Sequence, residues 1–287
     1  MAALSARLPD GRLHLQHGPI DLVIQAWGPA EQIEGAYAQA WERFQDILER
    51  LVSELELLRS PIGEAYPLAR GPVARRMVAA VWPHRTAFIT PMAAVAGAVA
   101  DEMLAAMLSG LALAKACVND GGDIAVHVLP GERLDAGIVN DLHRPRIDSS
   151  LRIDSPCGIA TSGWRGRSQS LGIADAVTVL ARNAAAADAA ATLIANAVNA
   201  EDPAIRRLPA QVVKADSDLG NRLVTVEVGP LPDAVIRHAL RDGLETAARM
   251  AAEGLIEAAY LALQGSNAVC AAPCLERAAN AFTLPRS

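Results

Sequence analysis

The chain has 287 residues, of which 52% are hydrophobic, 20% charged and 3% aromatic, and its formal net charge is −6. That length and apolar content supply a full hydrophobic core for one large domain or two small ones. The acidic balance excludes a general nucleic-acid or anionic-membrane surface, while leaving room for a local basic pocket.

From the N-terminus, LHLQ and IDLVIQAW read as strands joined by His17-Gly18-Pro19, which predicts a hairpin over 12–27. Glu31 to Leu58 places Ile33, Tyr37, Trp41, Phe44, Leu48, Leu51 and Leu55 at helical spacing. The spacing predicts one long amphipathic helix, ended by Ser60-Pro61-Ile62-Gly63. Residues 61–90 show little periodicity until a short helix over Val73 to Val81. Pro91 then opens an apolar helix to Leu108, with proline at the favoured first position. Asp101 and Glu102 inside that helix point to a buried core element rather than a membrane span.

Leu111 to Val118 continues as helix or begins a strand. Asn119-Asp120-Gly121-Gly122-Asp123 is a turn, and IAVHVL follows it as a strand. Further strands are expected at 151–153, 158–161 and 177–180, then a helix over Ala184 to Val198 with Asn183 as its N-cap. Gln211 to Lys214 and Leu223 to Val228 read as a strand pair, followed by a helix from Asp233 to about Leu263. The expected class is α+β, with helices packed on a mixed β-sheet. A single domain is expected over 1–287, with an N-terminal hairpin and long helix (1–90), a core (91–263) and a loosely ordered tail (264–287).

Cys117, Cys157, Cys270 and Cys274 form no CxxC pair, and the six histidines have no mutual metal-ligand spacing. The cysteine pattern fits a reducing cytoplasm, and the N-terminus carries no apolar export signal, so a cytoplasmic location is expected. No G-x-S-x-G elbow supports a hydrolase nucleophile. The segment 141–148, DLHRPRID, is locally basic and reads as a surface loop or as a reach toward an anionic ligand.

Candidate chemistry concentrates between Gly158 and Val198. Asp188 and Thr192 lie four residues apart on a predicted helix and share a face. A carboxylate and a hydroxyl so placed suit a hard cation such as Mg²⁺, and equally suit a solvated acid beside a back-bonded threonine. Thr161-Ser162-Gly163 with Arg165 and Arg167 offers amides, hydroxyls and guanidiniums for a pyrophosphate, or forms an exposed loop. Gly121 and Gly122 allow close backbone approach to a ligand, and would equally serve a hairpin turn. Asp123 and Asp175 are spare carboxylates for acid–base work.

Four pieces, in order, resemble motifs of the ApbE superfamily, whose best-known members are FAD-dependent protein FMN transferases. Ala96-Gly97-Ala98-Val99-Ala100-Asp101 resembles its K-G-Y-A-x-D helix, and Val118 to Ile124 its N-x-G-G-D-I turn. Thr161-Ser162-Gly163 resembles its T-S-G turn. Ala176–Leu180 followed by Ala187–Thr192 resembles its S-V-T-V and A-D-A-L-A-T run. The resemblance implies an ApbE-like fold, Asp188 and Thr192 as Mg²⁺ ligands, and FAD or FMN, or another phosphorylated, nucleotide-like molecule, as ligand of a transferase. Ala96 stands where the family has lysine, and an H-x-x-D-P-x-T-G segment is missing between Gly163 and the VTV strand. The sequence is thus similar to a distinct ApbE-like branch, and a non-catalytic ligand-binding or scaffold protein is the alternative. The Ala-rich helices at 91–108 and 184–198 suit packing within one subunit or in a homodimer. Neither nucleic acid nor membrane is expected as a partner.

Overall fold

The computed structural model describes residues 2–140 and 147–271, with a short strand at Phe282–Thr283. Cys274 and most of the basic segment 141–148 lie outside the described residues. The elements run β1 (Leu4–Arg7), β2 (Leu13–His17), β3 (Ile20–Trp27), α1 (Ala30–Phe44), α2 (Ile47–Ser53), α3 (Leu55–Arg59), α4 (Pro72–Val81), α5 (Val95–Leu108), β4 (Lys115–Asp120) and β5 (Asp123–Val128). They continue with β6 (Leu134–Ile138), β7 (Ser149–Ile153), β8 (Cys157–Ser162), β9 (Ala176–Ala181), α6 (Ala184–Ala197), β10 (Ile205–Pro209), α7 (Ala210–Val213), β11 (Leu223–Val228), α8 (Asp233–Ala252), β12 (Ala258–Leu263), β13 (Ser266–Ala271) and β14 (Phe282–Thr283). The class is α+β, and the ladders described below are antiparallel.

Two compact units form. The first comprises Met1–Leu134, Ile153–Ala160 and Arg182–Ala189; the second comprises Asp135–Arg152, Thr161–Ala181 and Ala190–Ser287. Strands β1 to β5 of the first unit make an antiparallel meander, and the first residues of β8 pair with β5. Alternate residues of β3 (Ile20, Leu22, Ile24, Ala26) are buried, so the period-2 pattern of the sequence turns one face to the core. Helix α5 packs on β4 and β5 and against α1 and α4. The segment Pro91–Leu108 is long and apolar enough to cross a bilayer, but Ala98, Val99, Met103 and Met107 are buried in the unit's core.

Glu102 on α5 is clamped from two sides. Arg43 Nε donates to one carboxylate oxygen at 2.9 Å and Arg76 Nε to the other at 3.0 Å. Burial pushes the carboxyl up, but the two guanidiniums outweigh it and hold it below its ordinary value. A depressed acid contributes stability above its unfolded pKa and loses it as the pH falls through the folded value. Glu102→Gln is therefore expected to cost about 1–2 kcal/mol at pH 7, discounted for the partly exposed Arg76. Urea midpoints of the two proteins should converge as the pH is lowered into the acid range; a gap independent of pH would contradict the charge argument.

In the second unit, β9, β12 and β13 form an antiparallel sheet with α8 packed on β12 and β13. A separate ribbon joins β10 to β11, and β6, β7 and β14 form a small three-stranded sheet.

Four expectations change. The single helix over 31–58 is three helices, interrupted at Gln45–Asp46 and at Glu54, whose carboxylate accepts from the amides of Arg70 and Gly71 in the loop before α4. The helix from Asp233 stops at Ala252, because Gly254, at φ 71°, closes a Schellman motif in which the Leu255 amide donates to Met250 O and the Gly254 amide to Ala251 O. Residues 258–263 are then a strand. Gln211–Lys214 is largely the short helix α7, and the strand opposite Leu223–Val228 is Ile205–Pro209. Finally, Ser266–Ala271 is a strand paired along its length with β12, in place of the start of a loose tail.

Candidate functional site

In the first unit the site is built on the start of α6. Its three leading amides need acceptors that the helix cannot supply. Asp101 of α5 takes two of them, accepting from Ala184 N at 3.0 Å and Ala185 N at 2.9 Å. Asn183 Oδ1 takes the third, from Ala186 N at 2.9 Å, as the N-cap that the sequence predicted. In return Asp188, one turn further along α6, accepts from the Gly97 amide of α5 at 3.1 Å.

Glycine makes this interlock possible. A Cβ at Gly97 would lie 2.3 Å from Ala184 O, and one at Gly158 of β8 would lie 1.9 Å from Asn183 C. Both strand and helix therefore approach the first turn of α6 at backbone contact distance. Burial raises the Asp101 carboxyl above its usual value against the pull of the two amides. Asp101→Ala is expected to cost about 1–2 kcal/mol of stability, the usual loss of a helix cap. Asp101→Asn, which keeps one acceptor, should recover part of that loss in thermal unfolding.

The β4–β5 hairpin supplies the second component. Gly121 and Gly122 have φ of 65° and 113°, the left-handed region that the tight turn requires. Asn119 Oδ1 fixes the turn by accepting from Gly122 N at 2.8 Å. The two-residue turn makes Asp120 and Asp123 register partners, so both carboxylates stand on one face of the sheet. Asp188 is pushed well above the ordinary carboxylate value, first by burial and then by the negative charges of Asp123 and Asp120. Three acidic side chains of the first unit thus share one electrostatic neighbourhood.

Asp120 and the Gly97 amide were not read from the sequence as site groups. The hairpin symmetry of Asn-Asp-Gly-Gly-Asp held the clue to Asp120, since a two-residue turn pairs its flanking residues. Gly97 became part of the site only through the crossing of α5 and α6.

The second unit holds the other candidates. The hydroxyls of Thr161 and Thr178 are hydrogen-bonded at 2.8 Å, and Thr161 is exposed. Gly163 is buried beside Asp175, whose carbonyl oxygen would lie 2.5 Å from an added Cβ. Ser162 is half-buried and Arg167 exposed. Asp175 accepts from Arg165 Nε at 2.8 Å, Trp164 Nε1 at 3.2 Å and Gln264 N at 2.6 Å. Those contacts make Asp175 the anchor of the 163–166 turn, and they engage the Arg165 guanidinium, which also stacks over Trp164. Thr192 lies on the later part of α6, one turn beyond Asp188.

Among the described residues, no three His, Cys, Asp or Glu side chains converge as a preassembled metal cage. Asp188 nevertheless offers a hard carboxylate donor, and the negative charges of Asp123 and Asp120 near it are of the kind a divalent cation relieves. Mg²⁺ commonly takes few protein ligands and completes its shell with water and phosphate oxygens, so this donor set fits it.

A family model described as "AbpE bacteria" matches residues 5–269. The UPF0280 protein of Methanopyrus kandleri is 41% identical over 117 residues, 40% of this chain and 46% of that protein. The UPF0280 protein of Methanothermobacter thermautotrophicus is 35% identical over 148 residues, 48% of this chain and 54% of that protein. The chain spans about half the length of the curated relatives it matches. Among solved structures, the flavinyl transferase ApbE of Pseudomonas stutzeri aligns over 94% of this chain and 93% of its own, at 13% identity and a TM-score of 0.44. The ApbE protein of Thermotoga maritima aligns over 94% and 96%, at 14% identity and a TM-score of 0.44.

Proposed function

This chain belongs to the AbpE bacteria family and is an ApbE-like superfamily member, and from that premise we propose that it is a Mg²⁺-dependent enzyme acting on a flavin nucleotide or another phosphorylated ligand. The observation that carries the reading is the Asp188 carboxylate, held by the Gly97 amide and crowded by the charges of Asp123 and Asp120. Asp188 and Thr192 would hold the cation through hard oxygen donors. Mg²⁺ bound there would neutralise phosphate charge and polarise the bond being broken. Gly121 and Gly122 present a turn on which a Cβ at Gly122 would meet nothing within 4 Å, leaving its backbone open to a ligand. Asp123, beside that turn, is the candidate base. The turn Thr161-Ser162-Gly163, with Arg165 and Arg167, is the candidate phosphate contact. We place the protein in the cytoplasm, as its cysteine spacing suggests; burial pushes the Cys117 thiol up to about 11.

A second reading rests on two observations. Ala96 stands where the transferases carry lysine, and Arg165 is engaged by Asp175 and would have to give up that ion pair to meet a phosphate. Both favour a non-catalytic ligand-binding or scaffold protein. Incubating the purified protein with FAD, with and without Mg²⁺, and resolving AMP and FMN by chromatography separates the two. Mg²⁺-dependent release of AMP and FMN is expected. FAD binding without cleavage would support the scaffold reading, and neither binding nor cleavage would end the flavin proposal.

A further inference from the structure

The segment from Arg59 to Arg85 is chemically unlike the rest of the chain. It holds five arginines and a single acid, Glu64, within a protein of net charge −6. It also holds two of the ten aromatic residues, Tyr66 and Trp82, whose rings meet edge to face at 5.0 Å. Arg85 lies over the Trp82 ring at 4.8 Å and donates to the Trp82 carbonyl at 3.2 Å. Arg75 donates to the Arg70 carbonyl at 2.8 Å. The recorded bonds of the Arg75 and Arg85 guanidiniums are thus to neutral oxygens, and both residues are exposed.

The loop between these groups has no regular structure, yet it is tied at both ends. Ile62 N donates to Ile89 O at 2.9 Å. At the other end, the buried Glu54 carboxylate accepts from Arg70 N and Gly71 N, each at 2.7 Å. A loop anchored in this way presents its side chains with little ordering entropy left to lose on binding. What it presents is apolar: Tyr66 is 47% exposed and Leu68 is 85% exposed, the largest exposure of any large hydrophobic residue among those described. Tyrosine, tryptophan and arginine are the residue types that dominate protein–protein contact energies, and Leu68 adds an apolar anchor beside them.

We infer that loop 63–69, with Trp82 and the arginines Arg70, Arg75 and Arg85, is a docking surface for an acidic polypeptide segment that carries an aromatic or aliphatic side chain. Charge complementarity selects the acidic partner, and the Tyr66–Leu68 ledge beside Trp82 receives its apolar side chain. The net acidity of the protein disfavours polyanions over most of its surface, so charge reversal within the patch is what assigns the binding to it.

The test uses a fluorescein-labelled random copolymer of glutamate and tyrosine, followed by anisotropy at fixed salt, with a lysine–tyrosine copolymer as the opposite-charge control. The wild-type protein should bind the acidic copolymer. The double variant Arg75→Glu/Arg85→Glu should bind it at least about tenfold more weakly, and Leu68→Ser about fivefold more weakly, with thermal midpoints unchanged because the altered side chains are exposed. Absence of wild-type binding, or equal binding by the charge-reversed variant, overturns the inference. So does binding confined to phosphatidylserine-containing vesicles, which would mark a membrane contact instead, or self-association abolished by the same substitutions, which would assign the patch to a second copy of the chain.

Discussion

Replacing Gly158 by alanine is expected to abolish the native fold at ordinary temperatures. The new methyl carbon would sit 1.9 Å from Asn183 C, 2.0 Å from Ala184 N and 2.2 Å from Asn183 O. These are backbone atoms of the first turn of α6, fixed by Asp101 and Asn183, so no side-chain rotation relieves the clash. Helix and strand would have to separate by more than 1 Å, losing the packing between them. Overpacking of this severity costs upward of about 3 kcal/mol, against a total stability on the order of 5–15 kcal/mol. Gly63→Ala is the matched control. Nothing lies within 4 Å of its added Cβ and its φ is not in the left-handed region, so the same substitution should be neutral or slightly stabilising. Expression, circular dichroism and urea midpoints of the two variants would decide the matter. A Gly158→Ala protein as stable as Gly63→Ala would show that α6 is not clamped as described.

Asp188→Asn should give the second large effect, in the opposite direction for the apo protein. Asparagine keeps an acceptor for the Gly97 amide and removes the charge that burial, Asp123 and Asp120 all disfavour. An acid with a raised folded pKa contributes stability below its unfolded pKa, and that contribution is lost as the pH rises through the folded value. In EDTA, the wild-type thermal midpoint should therefore fall over that interval while the variant's stays level. Mg²⁺ should restore the wild-type midpoint and leave the variant unmoved. Calorimetric titration should show Mg²⁺ affinity reduced at least about 100-fold, or about 2.7 kcal/mol, by the substitution. An unchanged affinity would remove Asp188 from the cation site and leave the carboxylate cluster as an electrostatic feature of the fold.

Much of the fold was legible where local chemistry and tertiary packing agree. The hairpin at 13–27 shows period-2 burial around Gly18 and Pro19, and the strands at 123–128, 157–162 and 176–181 carry dense β-branched and small apolar residues. The helix expected from Asp233 to about Leu263 ran through Gly254, although a left-handed glycine at a helix end is a local stop signal. The break near Glu54 carries no such local signal. Helical periodicity continues through it, and only the distant amides of Arg70 and Gly71 reveal why the Glu54 side chain is turned away. The β-branched run Val212–Val213 suggested a strand, but the ladder to Leu223–Val228 is taken by Ile205–Pro209, and proline closes it.

The sequence by itself determined the α+β class, the glycine turn of β4–β5, the Asn183 cap and the residue types able to hold a cation, because each depends on neighbours within a few positions. Only the tertiary structure decided that Asp101 caps α6 from α5, that Asp188 returns a bond to Gly97, that Asp120 joins Asp123 on one face, and that Asp175 anchors a turn through Arg165 and Trp164. Apart from the Asp120–Asp123 pair across the tight turn, those contacts join residues separated by about ten to ninety positions. They depend on backbones approaching at glycine, a distance that no local pattern encodes.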